Sequence, residues 1–315
     1  MGLLYVMAVS IDSKLFYRGY RKPFYAQLAV SVEIFKMDEF EESYRKVIEV
    51  LDLRYGLAHK RSVITSRFLV DTSLDEASRK MCIKEFVKGI SEEIGKIYVI
   101  YTSIPPSKIP VVKCYNGKEE KNPTEFIRNL TGTYTHCVLW KLLDKHYYSP
   151  SDPFLVDFFE GDVTDAWEKI VSINPKAEVF FSGDECNPAI STADLICKFV
   201  EYELSDNRLH LGTDQIKKCF SGSELDVEPI FLDDLSMITP RKKEPIIASK
   251  FIHHPIVFVF GSQQVSKEKE VLKSVGMYDN LINFAFERKA CLKFFNYDSA
   301  HVDARYMSKG DIFVP

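Results

Sequence analysis

The chain has 315 residues, of which 46% are hydrophobic and 27% charged, and a formal net charge of −4. That balance excludes a disordered chain and supplies no global basic field, so binding to a polyanion would need a local patch. The seven cysteines (Cys82, Cys114, Cys137, Cys186, Cys197, Cys219 and Cys291) show no CxxC spacing, which argues against a zinc ribbon or a disulfide framework and for reduced core thiols.

Residues 3–11 form an apolar run ending at Asp12, too short to span a bilayer and without a basic leader. It predicts a first buried strand in a cytoplasmic protein that makes no use of a membrane. A second run, Tyr25 to Phe35, pairs with it in a hairpin. From Met37 to about Arg54, Phe40, Tyr44, Val47, Ile48 and Leu51 recur at helical spacing, and Gly56 ends the helix. Ser62 to Val70 alternates as a third strand would, and Thr72 or Ser73 is positioned to cap a long helix reaching about Ile94. Ile97 to Thr102 reads as a buried strand.

After a proline-rich excursion, Asn122-Pro123-Thr124-Glu125 opens a helix that extends to His146. Pro153 to Phe159 is an apolar strand carrying Asp157, Asp162 to Val171 a short helix, and Ala177 to Phe181 another strand. Asn187-Pro188 then caps a helix to about Leu204. Residues 206–240 are polar and turn-rich, as a boundary would be. Beyond them, Pro255 to Phe260 and Ala290 to Phe295 are strands flanking helical material at 265–289. The order predicts an α/β protein with a mixed sheet flanked by helices over 1–205, and a smaller α/β accessory unit over 206–315.

Asp12 and Asp157 stand in or beside apolar strands, and Asp194 sits next to the apolar stripe of a helix. A buried, unpaired carboxylate costs several kcal/mol, about 3–5 where a partner is lost, so each of these needs a cation, a hydrogen-bond network or a metal. Two strand carboxylates and one from a covering helix can converge on Mg²⁺ or Mn²⁺, which take oxygen ligands in near-octahedral geometry. Glu160 is expected as the fourth ligand; Asp162, Asp184 and Glu185 are near enough in sequence to compete for that role.

The segments Val9-Ser10-Ile11-Asp12-Ser13, Leu155-Val156-Asp157 and Ser191-Thr192-Ala193-Asp194-Leu195-Ile196 together resemble the DUF3800 family of the ribonuclease H-like superfamily, over about residues 1–205. The resemblance implies a ribonuclease H-like sheet, with Asp12, Asp157 and Asp194 as catalytic metal ligands. The implied chemistry is phosphodiester hydrolysis by divalent ions. Ser13 departs from that family's pattern, which usually has an acid at this position.

Between the first two strands, Lys14, Arg18, Arg21 and Lys22 alternate with Phe16, Tyr17, Tyr20 and Tyr25. Cations that hold phosphates and rings that stack on bases make this segment the expected nucleic-acid contact. The bland alternative is a charged hairpin tip that protects a sheet edge. His59-Lys60-Arg61, the histidines at 253–254 and 301, and Gly261-Ser262 fit ordinary surface, core or turn roles better than a metal or phosphate site. The leading expectation is a metal-dependent nuclease acting on DNA or RNA. A catalytically silent scaffold, with a homo-oligomer among its allowed partners, and a small-molecule α/β enzyme using the crevice at the strand ends are the alternatives.

Overall fold

The computed structural model describes residues 8–18, 24–57, 63–104, 111–113, 119–121, 134, 137–139, 141–149, 152–158, 177–181, 183–185, 187–206, 211–232, 255–260, 291–296 and 301–306. The chain begins with β1 (Ala8–Arg18) and β2 (Phe24–Ile34), followed by α1 (Met37–Tyr55), α2 (Ser66–Asp71) and α3 (Glu76–Gly89). Next come β3 (Ile94–Ile104), the short β4 (Val111–Lys113) and β5 (Glu119–Lys121), β6 (Phe154–Phe158) and β7 (Glu178–Phe181). A 3₁₀ turn, Gly183–Glu185, leads into α4 (Pro188–Asp206), α5 (Thr213–Cys219) and β8 (Val227–Phe231). Strands β9 (Pro255–Phe260), β10 (Cys291–Asn296) and β11 (His301–Tyr306) follow.

Nine of these strands form one mixed sheet in the order β11-β10-β9-β7-β6-β1-β2-β3-β8, and β4 and β5 pair separately. Strand β2 runs antiparallel to both β1 and β3, whereas β6 runs parallel to β1, β7 to β6 and β9 to β7. The polar stretch read as a boundary therefore carries a helix and a strand, β8, that pairs parallel with β3 at the sheet edge. Pro229 within β8 suits that edge, because a proline cannot donate to a further neighbour.

Alternation along the strands divides the side chains between two faces. Leu28, Val30, Val32, Ile97, Val99, Leu155 and Phe180 join α1, α3 and α4 in one large core. On the opposite face, Tyr148 packs edge-on against Tyr98 and Phe154, and the Tyr134 hydroxyl donates to the carbonyls of Gln27 and Ile100. Helix α4 is buried over most of its circumference, Ser191, Thr192 and Asp194 included, and keeps a partly open strip at Lys198, Glu201 and Glu203. This departs from the one-sided stripe expected of it, because α1, α2 and α3 cover the flank turned away from the sheet.

Three sequence expectations change. Strand β1 continues past Asp12 to Arg18, pairing Lys14 with Leu28 and Arg18 with Phe24, so Asp12 stands mid-strand and the basic segment is partly sheet. Residues 66–70 are helix α2, not strand: Thr65 Oγ1 accepts from the Phe68 N–H at 3.0 Å, and a capped single turn defeats a short alternating pattern. The cap of α3 is Asp75, accepting from the Ser78 N–H at 2.7 Å, and that helix ends at Gly89, with β3 already under way at Ile94. The expected helices at 162–171 and 265–289 lie outside the described residues.

Candidate metal centre

The parity of the sheet brings the acids together. Asp12 shares a strand face with Ala8 and Lys14, and Asp157 shares one with Leu155; both faces are the one α4 covers. Because Ile11 pairs with Val156 in parallel β1 and β6, the next residue along each strand, Asp12 and Asp157, lies side by side with the other. Asp194 comes down from α4, and Asp184 from the turn after β7. Asn187 fixes the start of α4 by accepting from the Ala189 and Ile190 N–H groups at 2.9 and 3.2 Å, the cap that Asn187-Pro188 predicts.

Asp12, Asp157 and Asp194 are each less than a tenth exposed. Burial pushes the Asp12 carboxyl well above the ordinary range; the charges of Asp194 and Asp184 push the same way and Lys14 opposes them. Burial likewise raises Asp157, reinforced by Asp184 and Asp12 and resisted by the Gly183 N–H, which donates to Asp157 Oδ1 at 2.8 Å. Asp184, half-buried at the mouth, is pushed up to about 7 by burial and then by Asp194 and Glu185.

Asp194 is the most fully engaged of the four. The Ser66 N–H donates to its Oδ2 at 2.6 Å and the Ser66 hydroxyl to its Oδ1 at 2.9 Å, while the Lys14 ammonium pairs with Oδ1 and donates to Ser66 Oγ. Burial works against the Lys14 charge, yet Asp194 and Asp12 outweigh it and hold its pKa above the usual value. The loop that delivers Ser66 is itself tied to α4. The Tyr44 hydroxyl accepts from the Ile64 N–H at 3.0 Å and lies 2.7 Å from Ser191 Oγ, which donates to the Ile64 carbonyl at 2.5 Å.

Gly183 is required by close approach. A Cβ there would come within 2.6 Å of both Phe180 Cβ and Ile190 Cδ1, so any side chain would push the turn, and its N–H, away from Asp157.

The structure thus gathers Asp12, Asp157 and Asp194, adds Asp184, and turns Lys14 inward to the acids rather than outward to a phosphate. Glu160, Arg21 and Lys22 lie outside the described residues; Arg18 is described only as backbone at the end of β1. The sequence carried no signal for Ser66, because its role depends on a helix start that the alternating pattern concealed. Oxygen-only donors suit a hard divalent cation. Among the described residues, however, no three His, Cys, Asp or Glu side chains are grouped so as to hold one ion; the acids are drawn around the Lys14 ammonium instead.

The model of the family described as a domain of unknown function (DUF8203) matches residues 9–249, which takes in all four acids. The chain belongs to the DUF8203 family. This corrects the resemblance to DUF3800, which rested on three strings of three to six residues. An acid amid apolar neighbours recurs wherever an α/β core buries a carboxylate, so strings of that length do not separate one family from another. Nor does any match support placement in the ribonuclease H-like superfamily. The DUF8203 chain is also 24% identical, over 87% of its length and 83% of the other's, to an uncharacterized protein of Archaeoglobus fulgidus. No solved structure matches it. Among the described residues, no helix is long and apolar enough to cross a membrane.

Proposed function

We propose that this chain is a divalent-metal-dependent phosphodiester hydrolase acting on nucleic acid, with Mg²⁺ or Mn²⁺ taken up among Asp12, Asp157, Asp194 and Asp184 once these side chains regroup from their arrangement beside Lys14. The observation that carries the reading is the cluster itself: four carboxylates from two strands, a turn and a helix lie close together, and Asp12, Asp157 and Asp184 are pushed up by burial and by the charges of their acidic neighbours. Folding alone gains nothing from such crowding, whereas a divalent cation would relieve it. A bound ion there would supply Lewis acidity toward a phosphodiester and ease deprotonation of the attacking water.

The chain's own residues do the positioning. Ser66 fixes both oxygens of Asp194, Gly183 orients Asp157 through its N–H, and the Tyr44–Ser191–Ile64 bonds hold the Ser66 loop against α4. The finer fold reading, a ribonuclease H-like arrangement, belongs to the same proposal. It is supported by the strand order β3-β2-β1-β6-β7, antiparallel across the first three and parallel across the last three. Cytoplasmic location is also part of this reading, supported by the thiols of Cys82, Cys197 and Cys219, none of which is in a disulfide.

A second reading, a catalytically silent scaffold that binds nucleic acid or its own copies, is favoured by one observation: Lys14 and Ser66 already satisfy Asp194. Titration of Mn²⁺ into the wild type, Asp157→Ala and Asp194→Ala by calorimetry, beside cleavage of labelled single-strand and duplex substrates, separates the two. Binding and cleavage lost together in the variants uphold the hydrolase. A folded wild type that neither binds Mn²⁺ nor cleaves leaves the scaffold.

A further inference from the structure

Lys14 follows Asp12 by two residues on the same strand face, and its side chain is only 26% exposed. Its charge is shared among groups from four elements: Asp12 of its own strand, Asp194 and Cys197 of α4, Asp184 of the turn after β7, and Ser66 of α2. A lysine held that deeply acts on Asp12, Asp184 and Asp194 at once as a compact point charge on a flexible stem. The oxygens it engages belong to the group that a divalent ion would need, and two cations a few ångströms apart in a buried site repel strongly.

We propose that Lys14 is a built-in counter-cation of the acid cluster, which a divalent ion must displace from Asp194 in order to bind. The inference rests on the reading of this cluster as a divalent-ion site. It means that the chain folds around its own positive charge and that ion affinity is set by the exchange, not by the carboxylates alone. The stem is what makes the exchange feasible, since four methylenes allow the ammonium to swing aside while the strand stays fixed.

The test is Mn²⁺ calorimetry and thermal unfolding of the full chain, in EDTA and in Mn²⁺, for the wild type, Lys14→Met and Lys14→Arg. Lys14→Met keeps the stem and removes the charge; it is expected to bind Mn²⁺ about tenfold tighter than the wild type or better. It should also melt below the wild type in EDTA and gain more from Mn²⁺. Lys14→Arg, which keeps the charge, should bind as the wild type does.

Equal or weaker Mn²⁺ binding by Lys14→Met overturns the proposal, as does Lys14→Arg matching Lys14→Met, or a Lys14→Met chain that stays unfolded with Mn²⁺ present. A wild type that binds no Mn²⁺ beside a Lys14→Met chain that does removes the hydrolase reading of the natural chain and upholds the exchange. The reverse pattern, binding by the wild type with no gain in the variant, removes the exchange and leaves the hydrolase reading standing. Binding by neither removes both.

Discussion

At the β2–β3–β8 edge of the sheet, Lys96 pairs with Glu228 at 2.5 Å, with the two side chains 30% and 34% exposed, beside a cavity of about 390 Å³ lined in part by Glu33, Glu224 and Asp226. At the β1–β6 centre, Lys14 pairs with Asp194, whose side chain is only 3% exposed. Both places join a strand lysine to carboxylates, yet they differ in kind. The hydrogen bond from Lys96, opposed by slight burial, holds Glu228 below its usual value, as an open ion pair should. Burial at the centre drives Asp12 upward despite the nearby ammonium, and Asp157 upward despite the Gly183 N–H. Solvent screens the Lys96–Glu228 pair and is denied to the acids at the centre, so the centre, where several carboxylates are raised together, stores the larger electrostatic conflict.

The contrast can be broken most forcefully at Asp194. Asp194→Ala strands the Lys14 charge and both Ser66 donors in the core and is expected to cost about 3–5 kcal/mol in urea unfolding. Next comes pH. Asp184 is raised from 3.8 to about 7, so the folded chain binds more protons than the unfolded one between those values. Its contribution is complete below about 4 and is lost as pH rises through about 7. Unfolding midpoints measured from pH 4 to 8 should fall across that window, and Asp184→Asn should flatten the decline.

Gly183→Ala should cost about 1–3 kcal/mol by overpacking against Phe180 and Ile190, and should weaken Mn²⁺ binding through the displaced Asp157. Thr65→Ala removes the cap of α2, at about 1 kcal/mol, and should loosen the Ser66 clamp on Asp194. Smallest of all, Lys96→Met at the open edge should change stability by no more than about 1 kcal/mol. A loss at Lys96 as large as that at Asp194 would abolish the distinction between the two regions.

Much of the scaffold was legible from pattern: the apolar runs at β1, β2, β6, β7 and β9, the periodicity of α1 and the Asn187 cap of α4 all carry their meaning in a few neighbouring residues. The Asp12–Asp157 neighbourhood was legible because a carboxylate inside an apolar strand needs an explanation wherever it occurs. Lys14 was read as a phosphate contact for the same local reason, from the aromatics and arginines beside it, and its pairing with Asp194 was hidden because it depends on the strand parity set by pairing with Leu28. Ser66 was hidden because six helical residues are too few to impose a period on a sequence. Asp184 was one of several nearby acids in the sequence, and the turn geometry that selects it depends on the contact between Gly183 and Phe180.

The parallel seam between β1 and β6 also bears on how the molecule comes into being. Ile11 meets Val156, and Asp194 arrives only with α4, so the acids are contributed by the beginning, middle and later parts of the chain. Contacts of such wide sequence separation form late, after the loop-closure entropy has been overcome. On a ribosome, the antiparallel β1–β2–β3 unit can assemble while Asp12 still faces open water, its charge screened. The crowding of carboxylates begins when β6 joins β1 and is completed when α4 brings Asp194. Closure of the candidate site therefore waits on α4, and a chain stalled before residue 188 would carry a complete hairpin and the Asp12, Asp157 and Asp184 carboxylates without Asp194.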